Sequence, residues 1–146
     1  MDYNVPMILH IHTDGGARGN PGIAGCGVVI TNENNDPLYQ KGIFLGVKTN
    51  NEAEYAGLIH GLEWVITHQK TYTIDRIEFY LDSELVVRQL NGKYKVKSPH
   101  LVALYRQALE HCSTIAVPII FNHVRREFNA QADLLANEAM DQRYNQ

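Results

Sequence analysis

At Asn51 the apolar pattern of this chain changes period, and no other feature restricts its fold as strongly. Before that point three apolar, β-branched runs, "MILHIHT" (7–13), "AGCGVVIT" (24–31) and "PLYQKGIFLG" (37–46), are separated by Gly, Asn and Pro, which predicts three strands joined by turns. After it, Leu58, Leu62 and Val65 recur at helical spacing with Tyr55, Ile59 and Ile66 beside them, which predicts a helix to about His68. "IEFYLD" (77–82) reads as a short buried strand and "SELVVRQLNG" as a helix stopped by Gly92. Ser98 as N-cap with Pro99 at the first helical position opens another helix. "IAVPIIFNHV" (115–124) is a fifth strand, which Pro118 assigns to an edge or an irregularity. "AQADLLANEAMDQ" closes the chain as a helix with Asn129 as its N-cap. The order βββαβααβα describes an antiparallel meander that continues into parallel αβ units. The expected fold is therefore α/β, a mixed five-stranded sheet (three antiparallel strands, then two parallel) flanked by helices, with residues 1–146 as one domain.

Composition narrows the class. A chain of 146 residues can bury roughly two-thirds of its unfolded surface in one core. "MDYNVPMILH" has no basic leader, and no run approaches the roughly 20 apolar residues of a membrane span. With only Cys26 and Cys112, a disulfide scaffold is not expected and a reducing, cytoplasmic setting is; Cys26 reads as a plain buried thiol. A monomer is the default for this architecture. The net charge of −3 argues against a nucleic-acid partner, but residues 88–106 hold five Lys/Arg and no acid, a local basic patch. Within it Lys93, Lys95 and Lys97 alternate, so an extended chain would turn all three to one side, toward phosphates or simply toward solvent.

Four acids fall where structural duty does not readily explain them. Asp14 and Asp82 end the first and fourth strands, while Glu54 and Asp133 lie in the first turns of the long and the last helices. Strand ends and helix starts can converge at one edge of such a sheet. On the long helix, Glu52 belongs to the solvated stripe 52, 56, 60, 63, 67 and suits a capping box with Thr49. Glu54 belongs to the apolar stripe 54, 58, 61, 62, 65 and points inward, although a cap on Asn51 also fits its spacing. Clustered carboxylates cost several kcal/mol each unless something positive sits among them. No Lys or Arg adjoins them in their own segments, so a hard divalent cation is expected, Mg²⁺ or Mn²⁺, which prefers oxygen ligands. Two such ions about 4 Å apart suit phosphodiester cleavage.

"HIHTDGG" (10–16) has a rival reading, because a strand would place His10, His12 and Asp14 on one face, as a zinc site might. That pattern resembles the metallo-β-lactamase superfamily, whose motif continues Asp-His, whereas Gly15 follows Asp14 here. The remaining histidines are scattered without ligand spacing, and zinc needs further nitrogen or sulfur donors. His10 and His12 are read as strand residues.

Four ordered blocks, "TDGGARGNPGIAGCGVVI", "TNNEAEYAGLIHGL", "YLDSELVVRQLNGKYKVK" and "HVRREFNAQADLLANEA", resemble type 1 ribonuclease H from about residue 7 to 140. The compact last block is similar to the archaeal-like and retroelement-like varieties. The resemblance implies a metal-dependent endonuclease that cuts the RNA strand of RNA/DNA hybrids and leaves 5′-phosphate and 3′-hydroxyl ends. It carries the metal-binding, catalytic acids over to Asp14, Glu54, Asp82 and Asp133. Asp14 would bridge two ions, Glu54 and Asp82 would hold the one near the attacking water, and Asp133 the other. Glu54 would also sense a 2′-hydroxyl. Gly15, Gly16 and Gly19 would let the substrate backbone approach, Asn20 and Asn51 would bond the hybrid's minor groove, and Arg18 is a further substrate candidate. Two departures bear on activity. "NGKYKVKSPH" is a short version of a longer basic protrusion, and no histidine-bearing glycine loop precedes Asp133. Arg125, chosen over Arg126 only for following the strand first, is expected to support the leaving phosphate, with a surface pair to Glu127 as its alternative. His123 belongs to the strand. Double-stranded RNA is a second candidate substrate, and a non-catalytic binding module is the alternative function; basic residues in place of the four acids would mark such a binder, and none is found.

Overall fold

A computed structural model describes residues 5–142. Its elements run β1 (Met7–Arg18), β2 (Gly22–Thr31), β3 (Pro37–Lys48), α1 (Asn50–His68), β4 (Ile74–Leu81), α2 (Glu84–Leu90), α3 (Pro99–Ser113), β5 (Ile119–His123) and α4 (Ala130–Asp141), with a 3₁₀ turn at Arg126–Phe128 before α4. The sheet order is β3-β2-β1-β4-β5. β1/β2 and β2/β3 are antiparallel, while β1/β4 and β4/β5 are parallel. The expected mixed sheet is the one observed, and β5 takes the edge that Pro118 indicated.

Helices cover both faces. Gly57 of α1 meets the Cys26 side chain, whereas the neighbouring Gly27 meets α4, so the two helices lie on opposite faces of β2. α3 packs on α1. Leu9, Ile11, Val28, Ile30, Leu58, Leu62, Val65, Ile77 and Phe79 are fully buried between α1 and the sheet, each worth roughly 1.5–3 kcal/mol by the area it removes from water. On the other face α4 rests directly on backbone. A Cβ at Gly27 would stand 2.2 Å from the Ala132 carbonyl oxygen, and one at Gly42 would stand 2.4 Å from that of Leu135.

Helix ends follow the local signals in part. Thr49 and Glu52 form the expected capping box on α1. Gly92 adopts the left-handed conformation just past α2, as a helix stop does. Ser98 and Pro99 open α3 as read, but the Ser98 hydroxyl makes no cap bond. Asn129 occupies the N-cap position of α4 without capping it; it is buried, and its Nδ2 donates 2.9 Å to the Thr13 carbonyl on β1.

Several strand boundaries differ from expectation (β4, for instance, begins at Ile74 and not Ile77), and one of the differences creates the site. β5 spans only Ile119–His123, because Ile115 turns into the core before the strand begins. β1 does not end at Asp14. Its pairing with β4 stops at His12↔Tyr80, whereas its pairing with β2 continues to Arg18↔Ile23. The glycine-rich stretch is thus largely strand, and only the residues around Gly19–Pro21 turn. Beyond His12 one edge of β1 has lost its neighbour, and a cleft opens there at the carboxyl ends of β1 and β4.

Candidate active site

Asp14 is the second residue past that fork, and Asp82 directly follows β4. Glu54 comes from the first turns of α1, which lies so close to β1 that a Cβ on Gly15 would fall 2.2 Å from the Ala53 carbonyl carbon. This approach lets the Gly15 N–H donate to Glu54 Oε1 at 2.9 Å. Carboxylate oxygens of Asp14, Glu54 and Asp82 all lie within 4.8 Å of one another. Asp14 and Glu54 are buried, 6% and 5% exposed. Asp133, in the first turn of α4, lines the same cleft of about 690 Å³ and comes within hydrogen-bonding reach of Asp14. The bond from Asn129 to Thr13 and that from the Asp133 N–H to the Asn129 carbonyl (3.1 Å) tie this helix start to the strand beside Asp14.

The electrostatics are strained in one direction. Burial pushes the Asp14 carboxyl above its usual range, and its contacts with Glu54, the charge of Asp82 and the contact with Asp133 push the same way. Burial also raises Glu54, aided by the Asp82 charge and opposed by hydrogen bonds from Asp14 and Gly15 and by the Arg126 charge. Among the described residues Glu54 Oε2 and Asp82 Oδ2 are buried without a hydrogen-bond donor, Asp82 Oδ2 having only the Arg126 guanidinium near it at 3.8 Å. Two orphaned carboxylate oxygens facing like charges fit a hard divalent cation, whose oxygen preference matches the donor set. No histidine or cysteine belongs to this group, which departs from what zinc requires. His10 and His12 instead stack on Tyr80, at 5.6 and 4.6 Å between ring centres, and His10 Nδ1 is 2.8 Å from the Tyr80 hydroxyl.

The two arginines stand differently from the sequence-based preference. Arg125 lines the cleft but pairs with Glu127 at 3.3 Å and lies over the Phe128 ring. Arg126 places Nε 3.8 Å from Asp82 Oδ2, with most of its own side chain in solvent. The 3₁₀ turn, invisible as such in "HVRREFN", decides which guanidinium reaches the acids.

Gly15, Gly16, Arg18 and Asn51 line the cleft as expected, but Gly19 and Asn20 lie in the turn outside its wall. Asn20 Oδ1 accepts from the Asn50 N–H (2.9 Å) and Asn50 Oδ1 accepts from Ala17 N–H (2.8 Å), so this pair fastens the β1–β2 turn to α1. Arg18 is committed to α4, pairing with Asp141 at 2.7 Å. Lys93, Lys95 and Lys97 lie in the loop after α2 and do not line the cleft. The reading from sequence passed over Asn50, Asn137 and the cleft-lining position of His123. Asn137 carried a signal, since it follows Asp133 by four residues on one helix.

Comparison with known proteins agrees with this geometry. The family model described as reverse transcriptase-like matches residues 12–139. A bifunctional protein of Mycobacterium tuberculosis is 43% identical over 136 residues, covering 92% of this chain and 36% of its own length. A ribonuclease HI of Halobacterium salinarum is 38% identical over 133 residues, covering 91% of this chain and 64% of the relative. The chain thus spans only about a third of the mycobacterial relative and under two-thirds of the halobacterial one. Among solved structures, a compost-derived RNase H1 crystallised in complex with an RNA/DNA hybrid superimposes with a TM-score of 0.87 at 43% identity, over 92% of this chain and 97% of that one. The N-terminal RNase H domain of the mycobacterial protein gives 0.84 at 40% identity, over 92% and 94%.

Proposed function

We propose that this chain, which belongs to the type 1 ribonuclease H family, is a metal-dependent endonuclease that hydrolyses the RNA strand of RNA/DNA hybrids. One observation carries the reading: three carboxylates converge within 4.8 Å at the head of a cleft, and two of their oxygens are buried without a donor. A protein that only bound nucleic acid would gain nothing from acids that repel phosphate. The hybrid as substrate is supported by the relative crystallised with one.

Asp14, Glu54, Asp82 and Asp133 would hold two divalent ions, Mg²⁺ or Mn²⁺. Such ions activate water as the nucleophile and stabilise the leaving oxygen, so that cleavage leaves 5′-phosphate and 3′-hydroxyl ends. Asp14, which has both Glu54 and Asp133 as neighbours, would be the ligand shared between the two ions, as in the family it resembles. Glu54 and Asp82 would hold the ion nearer the attacking water, and Asp133 the one on the leaving-group side. The fixed frame does the positioning: the Gly15 N–H holds one Glu54 oxygen, which leaves Oε2 free toward the cleft. Glu54 also meets a 2′-hydroxyl of the RNA, the group by which a protein tells RNA from DNA. Gly15 and Gly16 admit the sugar–phosphate chain, and Asn51 donates to the minor groove. Arg126 stabilises charge on the phosphate; a guanidinium keeps its proton at neutral pH and does not shuttle it.

The test is cleavage of end-labelled RNA/DNA hybrid, double-stranded RNA and double-stranded DNA with Mg²⁺, Mn²⁺ or EDTA, beside Asp14→Asn and Glu54→Gln. Metal-dependent cutting of the RNA strand of the hybrid, lost in both variants, is expected. Equal cutting of double-stranded RNA would broaden the substrate, and hybrid binding without cutting in any metal would refute the enzyme and leave a binding module.

A further inference from the structure

Asn137 stands one helical turn after Asp133 on α4, half-buried in the wall of the cleft, and its side chain is engaged at both ends. Its Nδ2 donates to the Asp133 carbonyl oxygen at 2.9 Å and to the Asp133 carboxylate Oδ1 at 3.3 Å. On the other side Arg18 Nη2 lies 3.3 Å from the Asn137 carbonyl oxygen and 3.5 Å from its Oδ1. Arg18 is itself anchored, its Nη1 2.7 Å from Asp141. The contacts therefore run from Asp141 through Arg18 and Asn137 to Asp133, which in turn adjoins Asp14.

The chemistry of the groups sets the direction of this chain. A guanidinium offers donors only, so the amide face toward Arg18 must be the oxygen. The NH₂ then has to face Asp133, whose ionised carboxylate only accepts. An Asn side chain free in solvent would divide its time among rotamers and both amide orientations; here both choices are made by its neighbours. Oδ1 is thus the Asp133 oxygen that Asn137 tethers, and the second carboxylate oxygen is not bonded by it.

We propose that Asn137, oriented by Arg18, is a positioning residue for Asp133: it pins one carboxylate oxygen and presents the other to a divalent cation. This rests on the reading of Asp133 as a metal ligand given above. Partners of this kind orient ligands throughout metalloproteins, and their removal typically costs about 10–100-fold in metal affinity or activity.

Asn137→Leu tests it, since Leu keeps the branched outline and can neither donate nor accept. The full chain is compared with the variant in two measurements: Mn²⁺ affinity by titration calorimetry without substrate, and the Mg²⁺ concentration that half-activates hybrid cleavage. The expected result is roughly tenfold weaker Mn²⁺ binding and a similar rise in the half-activating Mg²⁺. The KM for hybrid at saturating metal should stay within about twofold, because the residue acts through Asp133 and not on the duplex. A purely structural role would lower the melting temperature and leave both metal dependences where they were, which overturns the proposal. If the wild type cuts no hybrid at all, the nuclease reading fails separately. Mn²⁺ affinity alone then decides: weakened by Leu it supports the positioning role, unchanged it refutes it.

Discussion

Asp14→Asn should make the metal-free protein more stable while abolishing its metal response. Two unit charges 4.8 Å apart repel by about 3 kcal/mol at an effective dielectric of 20, and Asp14 faces both Glu54 and Asp82 within that distance. The chain escapes part of this by keeping the Asp14 carboxyl protonated, as its raised pKa indicates. That escape also costs free energy at neutral pH, because the unfolded carboxyl would be ionised there. Asn has the same shape, needs no charge, and can still bond to Glu54. The net gain should be about 1–3 kcal/mol, a shift of roughly 1 M in the urea midpoint in EDTA. The sign of the pH dependence follows. From pH about 4 upward the folded chain holds a proton at Asp14 that the unfolded chain has released, so wild-type stability falls as pH rises, up to the raised folded pKa. The Asn variant lacks that contribution, and its advantage grows from pH 4 toward neutrality. Adding millimolar Mg²⁺ should stabilise the wild type and leave the variant nearly unmoved. An Asn variant no more stable than wild type in EDTA at pH 7 would refute the account of the site as an acid cluster that Arg126 compensates only in part.

Other expectations come from single contacts. Gly27→Ala places a Cβ 2.2 Å from the Ala132 carbonyl oxygen, so α4 must lift from the sheet; a loss of about 1–3 kcal/mol in denaturant unfolding should accompany weakened cleavage, because Asp133 moves with the helix. Arg126→Ala should lower kcat on hybrid about tenfold, a change of about 1.4 kcal/mol, and Arg125→Ala by less than about threefold; the reverse ranking in steady-state kinetics would return the role to Arg125. Replacing Lys93, Lys95 and Lys97 together by Ala should leave kcat intact and flatten the dependence of log KM on log salt by about 2.7 units, if all three meet phosphate, and by none if they are only solvated.

The architecture was open to reading from local pattern because each element carries its own signal. β-branched apolar runs before Asn51 and a period of 3.6 after it, a capping box at Thr49–Glu52 and a left-handed Gly92 are all short-range devices, and the structure has the strands, the helix and both end signals. Glu54 was separable from Glu52 for the same reason: the other four positions on its stripe are apolar or small, and the helix must turn that stripe inward. Glycines gave less away. Gly27 and Gly42 look like weak points in strands, and only the docked helix explains them.

What the amino-acid order determined alone was the set of elements, since propensity, periodicity and caps act over a few residues; the four acids were singled out by resemblance to a family, with their strand-end and helix-start positions only pointing the same way. What tertiary structure alone decided was which groups meet. The fork where β1 outlasts β4 brings Asp14 and Asp82 to one cleft, and the close seat of α1 at Gly15 turns Glu54 onto them. A 3₁₀ turn gives Arg126, and not Arg125, the approach to Asp82. The same holds for Arg18, whose partner Asn137 lies 119 residues away along the chain. Contacts at that separation depend on packing distances of an ångström or less, which no local pattern of residues encodes.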